Sequence, residues 1–250
     1  MNTHVQQVVS DYFNGPLKLQ SAFPFVAEAL GTALIAVTGS YSIGTFNETS
    51  DLDLELILPD ERYLALVDRA GGVQHLWVHD GDHRPLMDIK MRPLSWLQAR
   101  LNGSDPEVLW IYRHAVAIQD REQVLPQLLH DAAKRFHLTL PDLIKQAYKD
   151  FRTGVTVEAA REPLGKSIMM NRTIESALAL PFLVRNEPYP YPKWKRFWLN
   201  NSHEQGAEIV TLCEQWIAGN PVYRTLRNVM DSILTEAGYR DLTTHFWRKA

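Results

Sequence analysis

Two periods of hydrophobic and polar residues follow one another along the chain and divide it into two parts. In the first part, short apolar runs and period-two alternation predict β-strands at residues 33–38, 52–58, 73–79, 85–91 and 115–119. Asp80-Gly81-Asp82 separates the third strand from the fourth and is typical of a hairpin turn. From Arg121 onward the chain shows little strand pattern, and helical periodicity predominates.

Helical patterns complete the outline of the fold. Helices are predicted at residues 4–13, 21–30, 59–70, 93–101 and 106–113, and then at 121–136, 140–153, 157–185, 203–218 and 220–237. This order of elements predicts an α/β (α+β) fold. A small mixed-sheet domain is expected at residues 1–120, and an all-helical domain at residues 121–250.

The strand predicted at 52–58 carries an unusual charged face. Its leucines alternate with Asp51, Asp53 and Glu55. Side chains at positions i and i+2 of a strand point the same way, with Cα atoms roughly 6.6 Å apart. Two carboxylates so placed repel each other, and burial strengthens that repulsion, so a cation is expected between Asp51 and Asp53. A pair of Mg²⁺ ions is the usual arrangement in phosphoryl and nucleotidyl transfer.

A third carboxylate is expected from the strand predicted at 85–91. Asp88 lies there between the apolar residues Met87 and Ile89. We expect its carboxylate within about 5 Å of the other two, a span that a shared metal ion can bridge. Lys90 lies on the same face as Asp88 and is the expected charge partner of that residue. Glu55 is the next candidate if Asp88 faces away.

A glycine-serine turn follows the strand predicted at 33–38. Gly39 allows the backbone to approach a ligand closely, and Ser40 offers a hydroxyl at the start of a short helix. The free amides of a helix N-terminus bind phosphate. The turn therefore predicts a phosphate site beside the metal site.

The turn and the aspartates together resemble the signature of the DNA polymerase β nucleotidyltransferase superfamily, over about residues 30–90. The positions that carry the likeness are Gly39, Ser40, Ser50, Asp51, Asp53 and Asp88. The resemblance implies transfer of a nucleoside monophosphate from an NTP such as ATP to an acceptor hydroxyl, with release of pyrophosphate. It implies two Mg²⁺ ions, which Mn²⁺ can replace, held by the three aspartates. Asp88 would bind the catalytic ion and help to remove the proton of the hydroxyl, and the glycine and the two serines would hold the phosphates.

A second likeness lies in the helical part. The segment RNEPYPYPKWKRFW is similar to one in the helical C-terminal domain of small bacterial nucleotidyltransferases, through Asn186, the aromatic-proline turn 189–192 and the pair Lys193-Trp194. The two-domain layout also resembles that of the aminoglycoside nucleotidyltransferases. Prolines 190 and 192 fix an extended turn. Lys193 then begins a short helix and is expected to contact the triphosphate.

Composition and charge limit the choice of partners. Residues 1–133 hold 9 Lys+Arg against 17 Asp+Glu, whereas residues 134–250 hold 17 against 12, which suits metal ions on one side of a cleft and an anion on the other. A sequence pI near 6.3 favours a small molecule or a protein over nucleic acid as the hydroxyl-bearing acceptor. A lone cysteine, Cys213, and the lack of a long apolar run predict a cytoplasmic protein without membrane contact.

Several alternatives remain open at this point. A catalytically silent nucleotide-binding or protein-interaction module is one, although the complete carboxylate set favours an enzyme, and an RNA-terminal nucleotidyltransferase is another. Zinc binding at His75, His79 and His83 matches no compact motif. The sequence does not choose a base for the acceptor hydroxyl among three glutamates of the helical part, Glu158, Glu162 and Glu175.

Overall fold

The computed structural model describes Gln7 and residues 31–79, 85–157, 160 and 162–245. The helices predicted at 4–13, apart from Gln7, and at 21–30 lie outside the described residues, and so does the predicted turn at 80–82. The chain divides into two compact units, residues 1–135 and residues 136–250.

The described part of the first unit is built on a five-stranded mixed sheet. Its strands are β1 (Leu34–Val37), β2 (Leu52–Leu58), β3 (His75–His79), β4 (Pro85–Pro93) and β5 (Val116–Gln119). They lie in the order β3-β4-β2-β1-β5. The pair β2–β4 is parallel, whereas β1–β2, β1–β5 and β3–β4 are antiparallel. The predicted small mixed sheet and its five strands are confirmed.

Four helices accompany the sheet in the described part of this unit. They are α1 (Gly39–Ile43), α2 (Asp60–Arg69), α3 (Leu94–Asn102) and α4 (Pro106–His114). The start of α4 shows why the sequence specifies it: the Asp105 carboxylate accepts a hydrogen bond from the Glu107 amide, and Pro106 occupies the first turn.

The sheet has one apolar face and one charged face where β2 meets β4. The side chains of one face are fully buried and apolar; they are Leu52, Leu54, Leu56, Met87, Ile89 and Met91. The other face carries Asp53 and Glu55 on β2, and Asp88, Lys90 and Arg92 on β4. Since side chains alternate along a strand, the leucines of β2 bury one side of the sheet and present the acidic residues on the other. We call this second side the charged face.

The second unit is helical, as predicted. Its elements are the last part of α5 (Val124–Arg152), a 3₁₀ turn (Thr153–Thr156), α6 (Pro163–Val184), α7 (Pro192–Ser202), α8 (Gly206–Ile217), α9 (Tyr223–Glu236) and α10 (Arg240–His245). The helix predicted from residue 157 begins at Pro163. The last helix, α10, was not predicted. Among the described residues, no helix combines the length and the apolar character needed to cross a membrane.

The prediction of two helices at 121–136 and 140–153 is wrong. A single helix, α5, runs through both segments with Pro141 inside it. Proline in a helix interior removes a backbone hydrogen bond, so a break was expected there. However, Phe136 precedes the proline and Ile144 and Phe151 follow it, and all three side chains are buried. Burial on both sides of Pro141 outweighs the local cost. The division between the units at Arg135 falls inside this helix, and the domain limits 1–120 and 121–250 stay a prediction.

Candidate functional site

The core of the candidate site is a pair of aspartates on neighbouring strands. Asp53 of β2 and Asp88 of β4 are direct partners in the parallel register. Both project from the charged face. Asp88 is buried, with 5% of its side chain exposed, and Asp53 is more open, at 19%. The structure thus places Asp53 and Asp88 side by side on one face, and the predicted spacing of about 5 Å between all three carboxylates stays a prediction.

Lys90 joins the two carboxylates. Its Nζ atom lies 2.9 Å from Oδ1 of Asp53 and 2.9 Å from Oδ2 of Asp88. These two oxygens therefore lie no more than twice that distance, 5.8 Å, apart. Burial opposes the charge of the ammonium, but its hydrogen bond to Asp88 and the charge of Asp53 raise the pKa of Lys90 above its ordinary value. The predicted pairing of Lys90 with Asp88 is confirmed, and Lys90 contacts Asp53 as well.

His75 holds the other oxygen of Asp88. Its Nε2 atom contacts Oδ1 of Asp88 from the adjacent strand β3. His75 is the register partner of Lys90, so its side chain lies on the same face and reaches Asp88 diagonally. From the sequence, His75 was a candidate only for a zinc ligand. The signal that could have found this contact is the antiparallel pairing of β3 with β4, because it places the two residues on one face.

The glycine turn lies directly against Asp53. Gly39 has a positive φ of 69°, and a β-carbon at this position would overlap Oδ2 of Asp53. The backbone amide of Thr38 donates to the carbonyl of Asp53 at 3.0 Å. A residue without a side chain is thus required here on two grounds, the dihedral angle and the close approach of the carboxylate. The structure brings the predicted turn and the predicted metal ligand together.

The two serines differ in what their hydroxyls contact. Ser50 accepts a hydrogen bond from the Asn47 amide at 2.9 Å and donates to the Asn47 side chain at 3.3 Å, so it closes its own loop. Ser40 lies in the first turn of α1 and is half-buried. Its hydroxyl makes no hydrogen bond to another residue in the described ranges. Phosphate binding by Ser40 and Ser50 stays a prediction.

Asp51 has no described contact with the pair. It precedes β2, is half-buried, and has no ion pair among the residues that the structure describes. In those same residues, no three histidine, cysteine, aspartate or glutamate side chains are grouped to hold a metal ion. The structure therefore unites Asp53 with Asp88, and the joining of Asp51 to them stays a prediction.

Glu55 lies deeper on the charged face and has a different partner. Its Oε2 atom accepts a hydrogen bond from the hydroxyl of Tyr112, on α4, at 2.6 Å. Burial raises the pKa of Glu55, and the Tyr112 hydrogen bond opposes that rise. Burial, together with the nearby Glu55, raises the pKa of Tyr112 as well. Glu55 thus ties a helix to the sheet, a contact 57 residues apart in sequence that no local pattern could have indicated.

The donor set of the aspartate pair fits a divalent cation. Carboxylate oxygens are the ligands that Mg²⁺ and Mn²⁺ prefer. In the structure a cation already lies between Asp53 and Asp88, namely the ammonium of Lys90, at hydrogen-bond distance from both. The site therefore attracts positive charge at the position where the shared ion was expected.

The predicted residues of the helical unit have contrasting environments. Lys193 begins α7 as expected and is exposed, with Nζ 4.5 Å from the centre of the Trp194 ring. Lys195 is 3% exposed and lies 4.5 Å from the centre of the Tyr189 ring. Asn186 has a positive φ of 61° just after α6, as suits an asparagine that ends a helix.

Of the three glutamates that could act as a base, two are described. Glu162 caps α6, because its carboxylate accepts hydrogen bonds from the amides of Leu164 and Gly165. Glu175 is exposed on the same helix, and Glu158 lies outside the described residues.

Comparisons with known proteins indicate the family of the chain. Residues 19–153, more than half of the chain, match the sequence model of the family described as "Nucleotidyltransferase domain". No curated protein matches the sequence. Among the solved structures that it resembles is a nucleotidyltransferase-like protein from Exiguobacterium sibiricum 255-15. The TM-score is 0.44, with 11% identity over 92% of this chain and 77% of that chain.

Proposed function

We propose that this chain, which belongs to the nucleotidyltransferase domain family, transfers a nucleoside monophosphate from an NTP to a hydroxyl group. The oxygen of the acceptor hydroxyl bonds to the α-phosphorus, the bond from that phosphorus to the β-phosphate oxygen breaks, and pyrophosphate leaves. The observation that carries the proposal is the register pair Asp53–Asp88 beside the Gly39 turn. A glycine turn at the start of a helix can bind phosphate, and a carboxylate pair beside it can bind the metal ions of that phosphate.

The proposed metal ligands are Asp51, Asp53 and Asp88. Mg²⁺ or Mn²⁺ held there would offset the negative charge of the triphosphate and favour loss of the hydroxyl proton. His75 contacts Oδ1 of Asp88 and Lys90 contacts Oδ2, so the orientation of Asp88 is fixed in the metal-free protein, and the His75 contact leaves Oδ2 for a metal ion. That fixed orientation supports its proposed place closest to the incoming hydroxyl, because catalysis of this kind depends mainly on positioning.

The proposed phosphate ligands are Gly39, Ser40, Ser50 and Lys193. The positive φ of Gly39 supports its part in this role, and so does the Ser40 hydroxyl, which has no hydrogen-bond partner among the described residues. The exposed ammonium of Lys193 supports contact with an anion, since no described carboxylate forms an ion pair with it. Of the described glutamates, Glu175 is the better candidate for a base on the acceptor, because the carboxylate of Glu162 is engaged at a helix start.

The acceptor is proposed to be a small molecule or a protein. The sequence pI near 6.3 does not favour a nucleic-acid partner. The proposed location is the cytoplasm, because the single cysteine, Cys213, is buried and burial raises the pKa of its thiol to about 12. An unreactive lone thiol suits a compartment in which disulfides are not used.

Label transfer tests the proposed function. The protein is incubated with each of the four NTPs labelled at the α-phosphate, with Mg²⁺ or Mn²⁺, and with fractions of small molecules, proteins and RNA from cells. We expect label in one acceptor fraction, pyrophosphate in equal amount, and loss of both with Asp88→Asn. Label in the RNA fraction would favour the RNA-terminal alternative.

Binding without turnover would favour the silent module. In that outcome the protein binds an NTP in the presence of Mg²⁺, no fraction becomes labelled, and no pyrophosphate forms. Equal pyrophosphate release by the wild type and Asp88→Asn would contradict the proposed function, because the reaction would then not use this site.

A further inference from the structure

The backbone of Lys90 is fixed at the centre of the charged face. It belongs to β4, and its backbone is paired on both sides, with Glu55 of β2 and with His75 of β3. Its ammonium contacts both Asp53 and Asp88 at 2.9 Å. The register of the sheet therefore places Lys90 beside the two aspartates.

The ammonium and a divalent ion need the same oxygens. Mg²⁺ binds carboxylate oxygens at 2.0–2.1 Å. The ammonium of Lys90 already contacts one oxygen of each aspartate, Oδ1 of Asp53 and Oδ2 of Asp88. A divalent ion bound by the same two carboxylates would lie close to this ammonium, and two neighbouring cations repel strongly in a partly buried site. The ammonium and a divalent ion therefore compete for the two carboxylates.

The side chain of Lys90 has room to leave. It is 25% exposed, whereas the Asp88 side chain is 5% exposed. A lysine side chain has four rotatable bonds and a compact charge, and it is hydrated readily when it leaves an ion pair. All three residues have their backbone fixed in strands, but the aspartate side chains are short and the lysine side chain is long, so the ammonium is the charged group that can move farthest.

We infer that Lys90 is a built-in competitor of the divalent ion: it neutralises Asp53 and Asp88 in the metal-free protein and releases them when the ion binds. This inference rests on the proposed function, because it takes these aspartates as metal ligands. Two consequences follow. Lys90 stabilises the metal-free fold by offsetting the repulsion of the carboxylates, and it weakens the affinity of the site for free divalent ions.

Mn²⁺ binding tests the inference without any need for turnover. The affinity of the protein for Mn²⁺ is measured from the electron paramagnetic resonance signal of free Mn²⁺. The proteins compared are the wild type, Lys90→Met, Lys90→Arg and Lys166→Met. Methionine keeps an unbranched side chain and removes the charge, whereas arginine keeps the charge. Lys166 is an exposed lysine of α6 and serves as the matched control.

We expect Lys90→Met to bind Mn²⁺ about tenfold to a hundredfold more tightly than the wild type, the range of one charge-assisted contact. The Mn²⁺ affinity of Lys90→Arg should stay within about threefold of that of the wild type, because arginine is also a cation that competes with Mn²⁺. The affinity of Lys166→Met should stay in the same range, because Lys90 is unchanged in that variant. The melting temperature of metal-free Lys90→Met should be lower than that of the metal-free wild type. Addition of Mn²⁺ should raise the melting temperature of Lys90→Met more than it raises that of the wild type. Unchanged or weaker Mn²⁺ binding by Lys90→Met would overturn the inference.

A second measurement uses the wild type alone and does not depend on a variant that folds. Acetic anhydride modifies accessible lysines, and mass spectrometry reports the extent of modification at each one. We expect acetylation of Lys90 to increase severalfold when Mg²⁺ saturates the site, with Lys166 unchanged as the internal control. Equal or lower acetylation of Lys90 with Mg²⁺ would show that the ammonium stays in place, and would overturn the inference.

Two further variants separate this inference from the proposed function. Loss of Mn²⁺ binding in Asp53→Asn and Asp88→Asn, together with no tightening in Lys90→Met, would overturn the role of Lys90 and leave the metal site standing. Wild-type Mn²⁺ affinity in both aspartate variants would overturn the metal site itself, and the role of Lys90 with it.

Discussion

Two regions of the charged face hold carboxyl groups only two residues apart along β2, yet they differ in almost every physical respect. The outer region consists of Asp53 and Asp88 with Lys90, and it is partly open to solvent. The inner region consists of Glu55 with Tyr112, and both residues are buried. In the outer region a lysine ammonium offsets the charge. In the inner region a phenol hydroxyl donates to a carboxyl group whose pKa burial has raised.

The difference teaches that the partner and the exposure of a carboxylate decide what it can do. An ammonium on a flexible, partly exposed side chain can be replaced by another cation from solvent. A phenol on a packed helix cannot be replaced in that way, and burial disfavours the ionised form of Glu55. The outer region is therefore suited to bind ions and substrate, and the inner region to hold α4 on the sheet.

The largest expected effect separates the two regions by activity. Asp53→Asn should lower Mg²⁺-dependent NTP turnover by at least about a hundredfold, because it removes a proposed ligand of the metal ions that would offset the charge of the triphosphate. Glu55→Gln, which keeps the size and an acceptor for Tyr112, should leave turnover within about threefold. Steady-state release of pyrophosphate measures both.

The fold of Asp53→Asn should remain intact. Lys90 offsets one of the two negative charges, so Asp53→Asn leaves a balanced pair of Lys90 with Asp88, and the melting temperature should change little. Wild-type turnover in Asp53→Asn would break the comparison, since the outer region would then have no catalytic part. Equal losses in Asp53→Asn and Glu55→Gln would show instead that the whole face acts as one unit.

Local patterns were sufficient for the strands of this face. The alternation of Leu52, Leu54 and Leu56 with acidic residues predicts both the strand β2 and its two faces, because the period of two has no other simple explanation. The partners across the sheet were harder to predict. His75 reaches Asp88, and Tyr112 reaches Glu55, only because register and helix packing place them there. Such contacts leave no trace in local periodicity.

Burial also explains where sequence patterns misled. Pro141 predicts a break between two helices, but α5 continues through it because apolar side chains on both sides of the proline are buried. Local preference is a weak guide when tertiary packing opposes it. The role of Lys193, by contrast, depends on a ligand, and neither periodicity nor burial specifies one.

The second largest expected effect concerns Lys193, a cation of the helical unit that is proposed to bind the same NTP. Lys193→Ala should weaken NTP binding or lower kcat/KM by about tenfold to a hundredfold, the range of a charge-assisted contact with phosphate. Lys166→Ala is the control, because that lysine is exposed on another helix. Titration with NTP in the presence of Mg²⁺ measures the affinity of both variants.

Lys195→Ala sharpens this test. Lys195 is buried beside the Tyr189 ring, so its loss should lower the melting temperature and affect NTP affinity much less than the loss of Lys193 does. The same NTP affinity in Lys193→Ala and Lys166→Ala would return Lys193 to an ordinary solvated surface residue.

A third effect concerns the inner region and is one of stability. Tyr112→Phe removes the hydroxyl that donates to Glu55 and leaves a buried carboxyl group without that donor. The free energy of unfolding should fall by about 1–3 kcal/mol. Urea denaturation measures it, and turnover by the folded variant should stay within about threefold of the wild type. In the double variant Tyr112→Phe/Glu55→Gln, a smaller loss than the sum of the two single losses would confirm that the residues act as a pair.

The smallest effect distinguishes the two serines at the edge of the outer region. Ser40 has no described hydrogen-bond partner for its hydroxyl, whereas the hydroxyl of Ser50 is engaged with Asn47. A neutral hydrogen bond contributes roughly 0.5–1.5 kcal/mol. Ser40→Ala should therefore weaken NTP binding by about twofold to tenfold and leave the melting temperature unchanged.

Ser50→Ala should lower the melting temperature slightly, because its loop loses hydrogen bonds, and should weaken NTP binding less than Ser40→Ala does. A greater loss of NTP affinity in Ser50→Ala would show that this hydroxyl leaves Asn47 to bind phosphate, and the loop would then belong to the outer region.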